Sequence, residues 1–174
     1  MAKVKIHIKD MKQHLGQEIG LSKWMEITQS RVNKFAEATG DFQWVHVDEE
    51  QAKADLSSGR TVVHNFLLLS LVPKLFEDIL VITGLRYGLN KGAENIQFLT
   101  PLPTGSRVRT RLRLSGLKDL GQGEQTATFS IVMEREGSEK LVLKMDLLLL
   151  FVAEQAVFKA GPLPDQHQAA SFGL

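Results

Sequence analysis

The sequence predicts an α+β fold in which a curved antiparallel sheet wraps around one long helix. Three observations point to it: helical periodicity dominates the first half of the chain, one helix is apolar on nearly every side, and strands of alternating polarity fill the second half. A run of helices followed by a run of strands is typical of α+β domains. The 174 residues suffice for one complete core, so we expect a single domain over residues 1–154 and a loosely held C-terminal extension over residues 155–174.

Two helices are predicted near the N-terminus. The first begins after Thr28, which is placed as its N-cap, and ends at Gly40, where a C-cap glycine is typical. The second is short, because the tetrapeptide Asp48–Gln51 resembles a capping box and opens a helix that extends to about Leu56. The residues between the two helices therefore form a loop that joins a helix end to a helix start.

A longer helix is predicted from Thr61 to about Leu80. It is apolar on nearly every side, and a helix of this kind is normally surrounded by other structure rather than lying on a surface. Pro73 lies inside it and removes one backbone donor, so we expect a kink at this position. This is the central helix of the predicted fold.

Strands follow in the second half of the chain. Residues 106–114 alternate without a fault between apolar or small side chains on one face and four arginines on the other. Short connections, such as the hairpin turn predicted over residues 136–139, make consecutive strands antiparallel. We expect about five strands in the sheet, of which the sequence delimits Ala93–Leu99, Ser106–Leu114, Gln125–Arg135 and Lys140–Val152.

The bulk composition excludes several classes of function. Lys and Arg total 21 against 20 Asp and Glu, so no excess of charge points to nucleic acid. The absence of cysteine excludes disulfides, thiolate metal sites and a cysteine nucleophile. The N-terminus lacks the apolar segment of a signal peptide, and the most apolar stretch, Phe66 to Leu80, is interrupted by charged residues and cannot cross a bilayer. We expect a cytoplasmic protein with no nucleic-acid or membrane partner and with neither metal nor cofactor.

Asp41 and His46 are the candidate catalytic residues. A carboxylate and an imidazole are the side chains best suited to move protons near neutral pH, and both lie in the loop between the first two helices. Their spacing alone leaves a simpler interpretation open. An aspartate after a helix-ending glycine is often a turn or cap residue, and a single histidine is often only a surface residue.

The sequence around these residues resembles a known family. Residues 38–48 read ATGDFQWVHVD, which resembles the (A/S)GDxNPxHxD element of MaoC-like (R)-specific enoyl-CoA hydratases and, more closely, the ATGDxQWIHVD form of their nodulation-protein-N-like branch. Residues 60–73, RTVVHNFLLLSLVP, and residues 89–109, LNKGAENIQFLTPLPTGSRVR, continue the resemblance in the same order. The resemblance covers the chain from about Gly16 to Val152.

The resemblance implies a hot-dog fold, usually dimeric, in which the sheet wraps the central helix. Asp41 and His46 match the catalytic pair of that family, which holds one water molecule between the two side chains. In that mechanism Asp41 removes a proton as the water attacks C3 of a trans-2-enoyl thioester, and a proton returns to C2 on the same face. The implied partners are an acyl-CoA or acyl-carrier-protein thioester and a second copy of the chain. An open edge of a single curved sheet also favours a homodimer.

Further site residues follow from the same resemblance. The family stabilises the thioester oxygen with the backbone N–H of a glycine at the start of the central helix, and this chain has Asn65 there, a departure from the pattern. His64 and Ser70 match a family histidine and serine, for which support of the helix or of the catalytic pair is the expected role. Trp44 either fills core or forms a wall of the acyl tunnel.

The four arginines of residues 107–113 have two interpretations. They could bind the phosphates of coenzyme A or of an acyl carrier. Alternatively they face solvent and pair with Glu134 and Asp146 on neighbouring strands, which contributes little to stability. We expect the second, with at most one or two arginines near a ligand.

Two other functions share part of this evidence. A hot-dog thioesterase would have the same fold but would carry its carboxylate on the central helix, where Glu77 and Asp78 occur only at the far end. A non-catalytic acyl-thioester-binding protein is the second alternative, and two departures from the family pattern favour it: Asn65 and the altered strand motif over residues 90–95.

Overall fold

The computed structural model describes residues 3–154, and the predicted C-terminal extension lies outside them. Its elements in chain order are β1 (Val4–His7), a 3-10 helix (Ile8–His14), β2 (Glu18–Leu21), β3 (Met25–Glu26), α1 (Gln29–Thr39), α2 (Trp44–Val47), α3 (Glu49–Asp55), α4 (Asn65–Ile79), β4 (Leu80–Thr83), β5 (Leu85–Phe98), β6 (Arg107–Gly121), β7 (Glu124–Arg135) and β8 (Leu141–Ala153).

The predicted α+β architecture is confirmed. Within residues 3–154 the main sheet has six strands in the order β2-β6-β7-β8-β5, with β3 also paired to β6, and every pairing in it is antiparallel. A second sheet joins β1 to β4 in parallel, with Val4 opposite Leu80. None of the strands β1 to β4 was predicted, because these strands have only two to four residues each and show no clear alternation.

Both predicted N-terminal helices are confirmed together with their caps. The Thr28 hydroxyl accepts a hydrogen bond from the Arg31 N–H at 3.3 Å, and Gly40 ends α1 with a φ of 76°, a conformation that favours glycine. The Asp48 carboxylate accepts a hydrogen bond from the Gln51 N–H at 2.9 Å and so begins α3. The short helix α2, which was not predicted, occupies much of the loop between them.

The predicted start of the central helix is wrong, because α4 begins at Asn65 and not at Thr61. The preceding residues pair with neighbouring segments: the Val62 N–H donates to the Val45 carbonyl at 2.8 Å, and the Val63 N–H donates to the Leu102 carbonyl at 2.8 Å. β-branched residues favour such an extended path. The helix N-terminus consequently lies at the end of this extended segment rather than four residues earlier.

The sheet covers α4 on one side only within the single chain. Phe66, on the other side, is 67% exposed, and Pro73 also lies on that exposed side inside a helix that continues past it. The helix is thus apolar on more faces than one chain buries. Its buried residues are Leu67, Leu68, Val72, Leu75 and Ile79, which join the main hydrophobic core.

The predicted buried faces of the long strands are confirmed, but the predicted start of the first long strand, β5, is wrong. β5 begins at Leu85 and not at Ala93, and nearly all its residues are exposed, so it lacks the alternation by which strands are recognised. Three register shifts along its pairing with β8, one of them spanning Asn95 with a φ of 52°, further disturb the pattern. The predicted inward residues of β6 are all buried: Val108, Thr110, Leu112 and Leu114.

Ion pairs engage most of the arginine face of β6. Arg109 and Arg111 both contact Glu134, at 2.8 and 3.0 Å, and Arg107 contacts Glu136 at 2.8 Å. Burial acts to raise the pKa of Glu134, but the hydrogen bonds from the two arginines outweigh it and hold that pKa below its ordinary value. The expected pairing with Glu134 is therefore confirmed. The expected pairing of an arginine with Asp146 is wrong, because the Asp146 carboxylate accepts hydrogen bonds from Asn95 and Ser130.

Candidate active site

Asp41 lies directly after the left-handed glycine that ends α1. Its carboxylate is 39% exposed and faces a pocket, with the Gln43 N–H at 3.5 Å from Oδ1. Among residues 3–154 no lysine or arginine contacts it; the nearest cationic candidate is the His64 ring, whose Nε2 is 3.8 Å from Oδ2. The carboxylate therefore has free capacity to accept hydrogen bonds from a ligand or water.

His46 lies in α2, and its ring orientation is set by one backbone group. Its Nδ1 is 2.6 Å from the Val62 carbonyl oxygen. Because a carbonyl oxygen only accepts hydrogen bonds, Nδ1 must carry the proton. In the neutral ring Nε2 then holds the lone pair and can accept a hydrogen bond or a proton.

His64 forms the N-cap of α4 and is 3% exposed. Its Nε2 is 3.0 Å from the backbone carbonyl of Asp41 and must donate to it, and its ring stacks on that of His46 with 3.8 Å between centroids. Its Nδ1 is buried without a hydrogen-bond partner in the described part of the chain. His64 thereby holds both the backbone of Asp41 and the ring of His46 in place.

The three side chains converge on one small volume. One carboxylate oxygen of Asp41 and one ring nitrogen from each of His46 and His64 all lie within 4.8 Å of one another. Two hydrogen bonds of about 2.8 Å that meet at a water oxygen span about 4.6 Å, so Asp41 and His46 are close enough to share a water molecule. The same three groups are of the type that binds divalent metal ions, so a metal at this position is the competing chemical interpretation.

A pocket of about 560 Å³ opens on these groups. This volume suits a small organic ligand. Asp41, His46 and His64 lie on its polar side, and the other lining residues are mainly apolar: Phe35, Val62, Val63, Phe66, Phe98 and Pro101, with Thr39, Asn65 and Thr100. The pocket can therefore hold an apolar chain next to a proton-transferring pair.

Asn65 is the first residue of α4 and lines the same pocket. The N–H groups of the first helical turn have no carbonyl partner within the helix. The dipole of a 15-residue helix adds positive potential at this end. The backbone N–H of Asn65 is therefore one of the unpaired donors at this helix end, and the exposed side chain of Asn65 lies at the pocket surface; the role in binding a thioester oxygen stays a prediction.

Two residues of the predicted set lie outside this pocket. The Ser70 hydroxyl donates to the Phe66 carbonyl at 2.7 Å, so its hydrogen bond is made within α4. Trp44 is 37% exposed and does not line the pocket, so in the single chain it neither fills core nor forms the tunnel wall. Their roles in function stay predictions.

Several residues that shape the site were not predicted from the sequence. Phe35 packs against the His64 ring at 5.1 Å between centroids, and Phe98 contacts Phe66 at 6.0 Å across the pocket. The Val62 carbonyl orients His46, and such a backbone contact has no signature in the side-chain sequence.

Comparison with known proteins identifies the class to which this fold and site belong. Residues 10–135 match the family model described as a MaoC like domain, and the chain therefore belongs to the MaoC-like dehydratase family. This confirms the resemblance inferred from the motifs, and with it the hot-dog fold. The chain is an enzyme of the hydratase and dehydratase type.

Individual relatives narrow the comparison. The chain is 40% identical over 146 residues to 3-hydroxyacyl-thioester dehydratase Z of Mycobacterium tuberculosis, an alignment that covers 84% of this chain and 96% of that protein. It is 34% identical over 139 residues to nodulation protein N of Rhizobium leguminosarum bv. viciae, covering 79% and 86%. R-hydratase PhaJ1 from Pseudomonas aeruginosa superposes with a TM-score of 0.64 over 87% of this chain and 90% of that one, at 18% identity, which supports the fold.

Among the described residues no helix is long and apolar enough to span a membrane.

Proposed function

We propose that this protein catalyses the (R)-specific hydration of trans-2-enoyl thioesters to (R)-3-hydroxyacyl thioesters, and the reverse dehydration. The observation that carries the proposal is the approach of the Asp41 carboxylate and a His46 nitrogen within 4.8 Å beside an apolar pocket. The relative named 3-hydroxyacyl-thioester dehydratase Z, aligned over 96% of its length, supports the same reaction class.

Asp41 and His46 bind the same water molecule and have different roles. The water donates one hydrogen bond to Asp41 and the other to Nε2 of His46, which leaves an oxygen lone pair directed at C3 of the substrate. Asp41 takes the proton as the C3–O bond forms, and the electron pair of the double bond moves to give an enolate. The same carboxyl then returns the proton to C2 on the same face. Proton transfer of this kind contributes roughly 10²–10⁴ in rate.

The start of α4 stabilises the charge that develops in this reaction. The thioester oxygen becomes negative in the enolate, and the backbone N–H of Asn65 is a donor at a helix N-terminus that faces the pocket. In this arrangement the Asn65 side chain takes no part in the chemistry. It narrows the pocket mouth and so acts on the choice of acyl chain.

The acyl chain lies along the apolar wall of the pocket, where Phe35, Phe66 and Phe98 are the largest side chains. The thioester carrier, coenzyme A or acyl carrier protein, remains outside the pocket. The arginine face is a weak candidate for binding the carrier phosphates, because Arg107, Arg109 and Arg111 already pair with carboxylates.

The active form is a homodimer joined along β5. This strand is at one edge of the main sheet and pairs within the described residues only with β8. It exposes apolar side chains, including Leu89, which is 52% exposed, and an open apolar edge strand is normally covered. Phe98 belongs to both β5 and the pocket, so each active site lies next to this edge.

A thioesterase with its carboxylate on the central helix has less support. Asp78 is about 20 Å from Asn65 along the helix axis, and its Oδ1 is paired with Lys74 at 2.6 Å. Neither Glu77 nor Asp78 lines the pocket.

One assay separates the functions. The purified protein is incubated with crotonyl-CoA and, in parallel, with a saturated acyl-CoA, and the products are resolved by chromatography. Formation of (R)-3-hydroxybutyryl-CoA without release of free coenzyme A is the expected result. Release of coenzyme A would indicate a thioesterase, and tight binding without turnover would indicate a binding protein. Either of these two results overturns the proposal.

A further inference from the structure

Gln29, the first residue of α1, lies behind the pocket wall and contacts the two backbone segments that hold His46. Its side-chain Nε2 donates to the backbone carbonyl of His46 at 2.7 Å. Its Oε1 accepts a hydrogen bond from the hydroxyl of Thr61. The orientation of this amide is fixed, because a carbonyl oxygen cannot donate and the nitrogen must face His46.

These contacts link the backbone of His46 to the segment that orients its ring. Thr61 directly precedes Val62, whose carbonyl accepts the Nδ1 proton of His46. Gln29 therefore holds the backbone of His46 on one side and, through Thr61, the group that orients its ring on the other. The Val62 N–H also donates to the Val45 carbonyl at 2.8 Å, which ties the same two segments together again.

Thr61, whose hydroxyl donates to the Gln29 oxygen, is buried. Thr61 is 2% exposed and Thr104 is 6% exposed, and their hydroxyl groups contact each other. The Thr104 N–H donates to the Thr61 carbonyl at 2.8 Å. The second N–H of Gln29 donates to Asn33, an exposed residue one helical turn along α1. Both ends of the Gln29 amide are thus occupied, which limits its freedom to move away from His46.

We propose that Gln29 is a positioning residue that sets the location of the His46 imidazole for the hydration reaction, an inference that rests on the function proposed above. Gln29 does not line the substrate pocket, so it does not contact the acyl chain. Its effect is on the alignment of the ring with the shared water. A displacement of about 1 Å in such a group can cost a hundredfold in rate.

Two substitutions at this position give distinct expected results. Gln29→Met keeps the length of the side chain and removes its hydrogen bonds, and should lower kcat by about tenfold or more while KM changes by less than about threefold. Gln29→Glu keeps an acceptor for Thr61 but, when ionised, has no donor for the His46 carbonyl. When protonated, its carboxyl group donates again. The ratio of its kcat to that of the wild type should therefore rise as the pH falls from 8 to about 4.5, because an ordinary glutamic acid has a pKa of about 4.3 and becomes increasingly protonated as the pH approaches that value.

The groups around a glutamic acid at position 29 affect its pKa. The acceptor at His46 favours the neutral carboxyl and so raises its pKa. Gln29 also lines a second, polar pocket whose charged residues are Glu26, Glu49, Glu50, Lys53 and Arg60. Because the Gln29→Met variant meets the same neighbours but cannot titrate, its kcat ratio to the wild type should stay constant over the same pH range.

Thr104→Val and Asn33→Ala are the matched controls. Thr104→Val removes a buried hydroxyl but keeps the Thr104 N–H that donates to the Thr61 carbonyl, so it should lower the melting temperature while kcat stays within about threefold of the wild type. Asn33→Ala removes the other acceptor of Gln29 and should leave both properties close to the wild type. All variants are assayed with crotonyl-CoA at a temperature at which circular dichroism shows each to be folded.

The outcomes separate this inference from the proposed function. If the wild type hydrates crotonyl-CoA and Gln29→Met retains its kcat, the positioning role is wrong and the hydratase assignment stands. A loss in Thr104→Val equal to that in Gln29→Met, or a kcat ratio for Gln29→Glu that does not rise at low pH, also overturns it. If the wild type does not hydrate enoyl thioesters at all, the proposed function fails first.

Discussion

The Nδ1 atom of His46 lies 2.6 Å from the carbonyl oxygen of Val62, and this contact determines which ring nitrogen is free for chemistry. The proton on Nδ1 leaves Nε2 as an acceptor in the neutral ring. His46 can therefore hold a water hydrogen at the same time as Asp41 holds the other. The neighbouring stack on His64 restricts rotation of the ring out of this position.

His46→Gln should lower kcat for the hydration of crotonyl-CoA by roughly a hundredfold or more, with the fold intact. The glutamine amide can occupy the space of the ring, but it lacks the contacts with the Val62 carbonyl and the His64 ring that fix the position of Nε2, so it does not hold the shared water in place. His14→Gln is the matched control, because His14 lies on the N-terminal 3-10 helix and does not line the pocket. Steady-state kinetics on both variants check this, and near-full activity in His46→Gln would show that the ring is not needed.

Asn65→Gly should widen the range of acyl chains that the enzyme accepts. If the donor for the thioester oxygen is the backbone N–H, loss of the side chain removes no chemical group and only opens the pocket mouth. Activity on crotonyl-CoA should hold within a fewfold, and activity on longer 2-enoyl thioesters should increase. A loss on the short substrate as large as that in an Asp41 variant would mean that the amide side chain itself binds substrate.

The Asn65→Gly comparison needs a stability control. Glycine near a helix terminus costs up to about 0.5–1 kcal/mol of folding free energy. Thermal unfolding followed by circular dichroism identifies a temperature at which both proteins are folded, and rates are compared only there.

Removal of divalent metal ions should leave hydration unchanged. Asp41, His46 and His64 are close enough to bind a metal ion, but the shared-water mechanism uses the first two as free acceptors. The protein is dialysed against a chelator, its metal content is measured, and crotonyl-CoA hydration is then assayed. Loss of activity that zinc or another divalent ion restores would favour metal-assisted hydration instead.

Light scattering should report a homodimer at micromolar concentration. Leu89→Asp on β5 should shift the protein towards the monomer, because it places a charge in the predicted apolar interface. Leu120→Asp is the control: Leu120 is 45% exposed, similar to Leu89 at 52%, but lies at the end of β6 away from β5. A monomeric wild type, or equal effects of the two substitutions, would contradict association along β5.

The parts of the fold that the sequence predicted are those encoded locally. Thr28, Gly40 and Asp48 are caps whose hydrogen bonds or backbone angles involve only near neighbours, and the alternation of β6 is visible residue by residue. The start of α4 was misplaced because apolar residues occur on both sides of Asn65. Only pairing with distant segments holds residues 61–64 in an extended path.

The candidate site likewise contains some residues that the sequence identifies and others that it does not. Asp41 and His46 were recognised from residue type and from a motif, and the structure brings them together. The groups that orient them are the Val62 carbonyl and the Gln29 amide, which contact His46 from 16 and 17 residues away. Neither carries a sequence pattern of its own, so only the three-dimensional arrangement identifies them.

The catalytic role of Asp41 is tested by the rate of crotonyl-CoA hydration by Asp41→Asn compared with that by Asp48→Asn. Both replace a carboxylate by an amide of the same shape in one short stretch of chain, and asparagine at position 48 still caps α3. Asp41→Asn should lose roughly a hundredfold or more in kcat, whereas Asp48→Asn should retain the wild-type rate, with (R)-3-hydroxybutyryl-CoA as the product. An Asp41→Asn enzyme that hydrates crotonyl-CoA at the wild-type rate would contradict that catalytic role.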